Sequence, residues 1–146
     1  MALEREINIL LIEDNSGDVW LTKEAFSESE KNITIHVAID GVDGYNYLKN
    51  QPPYEEAPMP DLILLDLNLP KWDGREVLKK VKTDDTLKHI PIIVLTTSNA
   101  EKDVINCYNL HANCFITKPV DYENFFQIIR HIENFWLSTI MLPSKN

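Results

Sequence analysis

The chain reads as a doubly wound α/β fold, a five-stranded parallel sheet with helices on both faces. Three observations predict it. Five short apolar runs alternate with helix-like segments from one end of the chain to the other. Each run is about five residues long and rich in Ile, Leu or Val, as strands are. Runs one, three and four are nearly continuous rather than alternating, so both faces of those strands are covered. Strands of this kind are joined by right-handed helical crossovers.

The elements follow in order. The first strand is the run Ile7–Ile12, INILLI. A helix is predicted over 16–30, opening on Ser16-Gly17-Asp18 as a cap and carrying Val19, Leu21, Thr22, Ala25 and Phe26. The second strand spans 33–39, and a short helix follows over Gly41–Leu48. Residues 50–60 hold four of the eight prolines (Pro52, Pro53, Pro58 and Pro60) and read as a rigid surface connection, not a domain boundary. The third strand is Leu62–Leu65. The helix Gly74–Lys82 then places Val77, Leu78 and Val81 on one face. The fourth strand spans 92–95. The next helix, 99–110, begins Asn-Ala-Glu-Lys-Asp, with acids in the first turn where the helix dipole favours them. The fifth strand spans 113–117, and the last helix, 121–136, starts at a capping Asp121 after Pro119.

The composition suits a soluble globular protein. Of 146 residues, 44% are hydrophobic and 25% charged. One domain over 1–146 is expected, with a core over 7–137 and an apolar extension over 138–146. No apolar run approaches the length of a membrane span, and no secretory signal opens the chain, so a cytoplasmic protein off the membrane is expected. Fourteen basic residues face 23 acidic ones, a net charge of −9, which argues against nucleic acid as a partner and against docking on anionic lipid. Cys107 and Cys114 are too few for a disulfide framework or a four-thiolate zinc site, and read as reduced, buried thiols.

Chemistry is expected at the C-terminal ends of the strands, where sheets of this class bind ligands. The first strand runs into Glu13-Asp14, the third into Asp66, the fourth into Thr96-Thr97-Ser98 and the fifth into Lys118-Pro119. One sheet edge would therefore gather three carboxylates, several hydroxyls and one ammonium. Crowded carboxylates repel, and either a raised pKa or a divalent cation relieves the repulsion. Ligands that are all oxygen suit Mg²⁺, and no histidine lies near this edge to suit a softer metal. Lys118 would pair with a carboxylate or with a bound phosphoryl oxygen.

These residues resemble the receiver domain of the response regulators of two-component signalling. The residues that carry the likeness are Glu13-Asp14, the run Asp61-Leu-Ile-Leu-Leu-Asp66-Leu-Asn-Leu-Pro70, Asp73-Gly74, Thr96 and Phe115-Ile-Thr-Lys118-Pro119. Within that family the chain is most similar to the small stand-alone regulators that partner cyanobacterial phytochromes, on Asn15-Ser-Gly-Asp18, Leu95-Thr-Thr-Ser98, Leu110-His-Ala-Asn-Cys114 and Phe135-Trp-Leu137.

The resemblance implies a flavodoxin-like sheet of strand order 2-1-3-4-5. It implies that Asp66 is the phosphoacceptor, attacking a phosphohistidine on a sensor histidine kinase. Asp14, Asp66 and the backbone carbonyl of Asn68 would hold Mg²⁺, with Glu13 acting through water. Lys118 would pair with Asp66 and then with a phosphoryl oxygen. Thr96 would hydrogen-bond the phosphoryl group once its loop moves inward, and Phe115 would rotate to fill the space behind it. The Lys118–Pro119 peptide is implied to be cis.

The final helix carries more apolar surface than one sheet contact needs. Phe125, Phe126, Ile128, Ile129, Ile132, Phe135 and Trp136 are followed by Leu137, Ile140, Met141 and Leu142. Two uses compete: the tail folds back on its own domain, or it is buried against a partner. The resemblance favours a homodimer through the fourth helix, fifth strand and fifth helix.

Two other classes share this sheet. An aspartyl-nucleophile phosphohydrolase needs a second acid two residues after the nucleophile, and Asn68 stands there. A flavin or nucleotide binder would set Glu13 and Asp14 against its phosphate, and the chain has no glycine-rich Lys-Ser/Thr loop. With no length left for an output domain, the expected function is a single-domain phosphoacceptor signalling protein, not a turnover enzyme. It would switch protein contacts or, alternatively, relay the phosphoryl group to a histidine phosphotransfer protein.

Overall fold

In the computed structural model, which describes residues 5–139 and 142–143, the strands form one parallel sheet of order β2-β1-β3-β4-β5. The elements are β1 (Ile7–Ile12), α1 (Ser16–Ser27), β2 (Ile33–Ala38), α2 (Gly41–Leu48) and β3 (Leu62–Leu65). They continue as α3 (Gly74–Lys82), β4 (Ile92–Thr96), α4 (Glu101–Asn109), β5 (Cys114–Thr117) and α5 (Tyr122–Asn134), closed by a π-helical turn at Phe135–Thr139.

The continuous apolar runs fill two cores at once, because alternate side chains leave a strand on opposite faces. Ile9, Leu11, Leu62, Leu64, Ile93 and Leu95 pack under Ala25 and Phe26 of α1 and Phe125, Ile129 and Ile132 of α5. Leu10, Ile12, Ile63, Leu65, Ile92 and Val94 pack on the other face, under Leu48 of α2, Val77, Leu78 and Val81 of α3 and Cys107 of α4. The outer strand β2 is only half-buried, as an edge strand is.

Four helices start on a side chain that caps their free N–H groups. Asn15 accepts from Asp18 N at 2.9 Å, Asp40 from Asp43 N at 2.7 Å, Asp73 from Arg75 N at 2.9 Å, and Asp121 from Asn124 N at 2.9 Å. The exception is α4. Its first helical residue is Glu101, not Asn99, and Ala100 sits at the cap position with no side chain to offer. α1 also stops earlier than its pattern predicts. Phe26 is its last buried residue and Glu28 already caps the C-terminus. β4 runs one residue further, to Thr96, because Thr96 pairs with Thr117 of β5.

The proline-rich connection is tied down as expected. The Asn50 side-chain amide donates to the carbonyls of Tyr54 and Ala57 at 3.0 and 2.9 Å, and the Tyr47 hydroxyl donates to Pro58 O at 3.0 Å. Of the two thiols, Cys107 is buried and Cys114 half-buried, both are free, and burial pushes both up in pKa. At the C-terminus, Trp136, Leu137 and Leu142 pack on the α1–α5 face of their own domain, while Phe135 stays half exposed. Ile140, Met141 and residues 144–146 of the expected extension lie outside the described residues. Among the described residues no helix is long and apolar enough to cross a membrane.

After α3, Asp84 organises the turn. It accepts from Thr86 Oγ1 at 2.6 Å, from Lys49 Nζ at 2.9 Å and from the Tyr45 hydroxyl at 3.2 Å. The Thr86 hydroxyl, then the Lys49 ammonium, hold its carboxyl well below the usual carboxylate range. A depressed pKa adds stability above the unfolded value of about 4 and loses it as pH falls through the folded value. Asp84→Asn is therefore expected to cost about 1 kcal/mol at neutral pH in urea unfolding, with the deficit shrinking below about pH 4.

Candidate functional site

Strand ends are aligned by backbone hydrogen bonds that continue one residue past the strands. Glu13 N donates to Ala38 O at 3.0 Å, Asp66 N to Ile12 O at 3.1 Å, and Lys118 N to Thr96 O at 2.6 Å. The side chains that follow therefore emerge at one edge, into a cavity of about 470 Å³ walled by Glu13, Asp14, Asp18, Asp66, Asn68, Thr97 and Lys118.

Glu13, Asp14 and Asp66 each place a carboxylate oxygen within 4.8 Å of the others. Glu13 and Asp66 are buried and Asp14 is exposed. Asp66 Oδ1 accepts from Leu67 N at 2.8 Å, which fixes the carboxylate's rotation and turns Oδ2 towards Lys118. The approach of α3 keeps this loop in place. Gly74 lies so close to Asp66 that a Cβ there would stand 2.2 Å from the Asp66 carbonyl oxygen and 2.6 Å from Leu67 Cα, and Gly74 N donates to Leu67 O at 2.8 Å.

The Lys118 side chain is 5% exposed and lies among acids. Nζ hydrogen-bonds Glu13 Oε1, stands 2.8 Å from Asp18 Oδ2 and lies 3.6 Å from Asp66 Oδ2. Burial raises the Glu13 carboxyl to about 7, against the pull of the Lys118 ammonium. Burial works against the charge on Lys118, but hydrogen bonds to Asp18 and Glu13 outweigh it and hold the lysine above its ordinary pKa.

Glu13, Asp14, Asp66, Asn68 and Lys118 all line this pocket, and two expectations differ. Thr96 is fully buried beneath the pocket, its Oγ1 accepting weakly from Ser98 N at 3.5 Å, and its neighbour Thr97 lines the wall instead. The Lys118–Pro119 peptide, implied to be cis, is trans; among the described residues the cis bond is Pro52–Pro53. The ammonium is held by the carboxylates of Glu13, just past β1, and Asp18 of α1. Phe115 is half-buried in β5, its side chain against the α2–α4 face and its N–H donating to the Tyr108 hydroxyl at 3.2 Å. Asp18 was not among the expected site residues. It stands in the first turn of α1, two residues past the start of the helix, and the helix entry carries it onto the pocket wall.

A parallel α/β sheet whose C-terminal edge sets one aspartate between two acids and a lysine defines a phosphoacceptor of the receiver class. The chain belongs to the response regulator receiver domain family, which matches residues 9–130. It is 46% identical over 136 residues to response regulator Rcp1 of Synechocystis sp., covering 93% of this chain and 92% of that protein. The crystal structure of the phosphorylated cyanobacterial phytochrome response regulator RcpA superposes with a TM-score of 0.93 at 48% identity, over 96% of this chain and 100% of the other. The Mn²⁺-bound form of Rcp1 follows at 0.91 and 46%, over 94% and 99%. The bacteriophytochrome response regulator AtBRR is more distant at 0.73 and 39%, over 96% and 99%. This is a response-regulator receiver, homologous to phytochrome response regulators, and its role is phosphoacceptor signalling.

Proposed function

We propose that this receiver takes a phosphoryl group from a phytochrome-type sensor histidine kinase onto Asp66, in the cytoplasm and in a Mg²⁺-dependent reaction, and that the acyl phosphate switches its protein contacts. The observation that carries the reading is the convergence of Glu13, Asp14 and Asp66 within 4.8 Å, with Lys118 beside them. An all-oxygen donor set of this kind fits a hard divalent cation that keeps several waters. Asp14, Asp66 and the Asn68 carbonyl would hold Mg²⁺, with Glu13 through water, and the ion would supply positive charge to the phosphoryl oxygens.

The chain's own residues do the rest. Asp66 is the nucleophile. Its free oxygen bonds to phosphorus as the histidine leaves, and the hydrogen bond from Leu67 N orients it. Lys118 gives its charge to a phosphoryl oxygen, and Thr96 donates its hydroxyl once the 97–100 loop moves inward. That movement opens space for Phe115 and alters the α4–β5–α5 surface. The receiver promotes only its own phosphorylation and dephosphorylation and turns over no separate substrate.

Phosphorylation would be read by a second copy of the chain. Ile105 and Tyr108 of α4 and Tyr122 of α5 are each about half exposed and flank β5, an apolar surface fit for a homodimer.

Three outcomes are expected. Incubation with acetyl phosphate and Mg²⁺ adds the mass of one phosphoryl group, hydroxylamine removes it, and Asp66→Asn shows no adduct; continued labelling of that variant would place the acceptor elsewhere. Chelation of divalent metal slows labelling by at least about tenfold, and an undiminished rate would refute the metal assignment. Ile105→Glu shifts the phosphorylated chain from dimer to monomer in sedimentation velocity, and an unchanged dimer would move the interface to another face.

A further inference from the structure

One carboxylate of the pocket has no part in the reaction described so far. Asp18 stands in the first turn of α1, its side chain 27% exposed on the cavity wall. The helix does not use that side chain. Asn15 caps the Asp18 N–H, and the Asp18 carbonyl accepts from Thr22 Oγ1 at 2.7 Å. The carboxylate instead holds Lys118 at 2.8 Å, while Asp66 Oδ2 lies 3.6 Å from the same nitrogen, beyond a good hydrogen bond. Of the three ammonium donors, two are thus engaged by Glu13 and Asp18.

We propose that Asp18 is a positioning residue that sets the rate of phosphoryl transfer, holding Lys118 back from Asp66 in the resting site and adding a negative charge against the incoming donor. The inference rests on the reading of Asp66 as the acceptor. In the transfer, an Asp66 oxygen forms a bond to phosphorus while the donor's bond to phosphorus breaks, and the leaving group departs with that electron pair. Lys118 must then bring its nitrogen within hydrogen-bond reach of a phosphoryl oxygen on Asp66, from which it now stands 3.6 Å away, and that shift draws it off one of its present partners. Glu13 is buried and belongs to the three-carboxylate cluster. Asp18 is outside that cluster and partly exposed, so water takes over its oxygen when the lysine leaves. Asp18 is therefore the partner that yields, and its grip is the resistance to be overcome.

The charge acts in the same direction. Glu13, Asp14, Asp18 and Asp66 line with four carboxylates a pocket that holds one ammonium. One unit charge removed at several ångströms changes the approach of a dianion by about three- to tenfold in rate at a solvent-like dielectric.

The test uses the full chain with Mg²⁺ and follows the adduct by intact mass. With acetyl phosphate, Asp18→Asn is expected to label about three- to tenfold faster than the wild-type chain, and Asp18→Glu, which keeps the charge, within about twofold of it. Phosphoramidate carries less negative charge at neutral pH, so the Asp18→Asn acceleration is smaller with that donor. Removing the same charge weakens Mg²⁺ binding by a similar factor, read by calorimetry, so labelling is compared at saturating Mg²⁺. Labelling of Asp18→Asn that is unchanged or slower, or acceleration equal for both donors, overturns the proposal while leaving Asp66 as acceptor. No adduct on the wild-type chain from either donor overturns the acceptor reading and this inference with it.

Discussion

A single buried ammonium surrounded by carboxylates is the constraint on which the edge of this sheet is built. Lys118 leaves β5, and its partners Glu13 and Asp66 leave β1 and β3. In the order β2-β1-β3-β4-β5 the lysine and Glu13 belong to strands three places apart, roughly 14 Å at the usual strand spacing. Only a long side chain lying over the end of β4 closes that gap, which is why Thr96 at the end of β4 lies beneath the pocket rather than in its wall. Removing Lys118 would leave Glu13 and Asp66 buried beside one another without a counter-charge, the kind of loss that costs several kcal/mol.

The same arrangement explains the unusual state of Glu13. Its carboxyl is raised to about 7 although a lysine touches it, because burial outweighs the ion pair. The family match and the all-oxygen donor set point to a divalent cation, and the proposed acceptor lies where that cation would sit.

Most of this was legible in the sequence, for identifiable reasons. Continuous Ile, Leu and Val runs of four to six residues, separated by helix-like segments, suit strands covered on both faces, so the layers and the location of the site followed from them. Glu13-Asp14 and Asp66 directly follow such runs and Lys118 directly follows the fifth strand, so knowing the strands was knowing the edge. What the pattern did not carry depends on side chains meeting across elements. Asp18 sits on a helix face that looks like any capped first turn until α1 is laid beside β5. The late start of α4 reflects Ser98, whose hydroxyl donates to Asp103 at 2.6 Å and accepts from Ala100 N at 3.4 Å, so the helix entrance is organised from the loop rather than by Asn99. The apolar surplus at the C-terminus was counted correctly, but Trp136, Leu137 and Leu142 return part of it to their own core.

The loop that the proposed switch must move is held in a way that suits the task. Between Thr96 and Glu101 its ties are mostly side-chain bonds. Ser98 donates to Asp103, Asp103 accepts from Arg75 of α3 at 2.7 Å, and the Ser98 carbonyl accepts from Thr117 of β5 at 3.3 Å. Such bonds are individually worth about 1 kcal/mol and can be exchanged without unravelling a strand or helix. β4 below the loop is fully buried and cannot give. A pull on Thr96 therefore has one compliant direction, the loop above it, and the loop is joined to α3, α4 and β5 together. A local change of charge at Asp66 would reach α4 and β5 through those few hydrogen bonds.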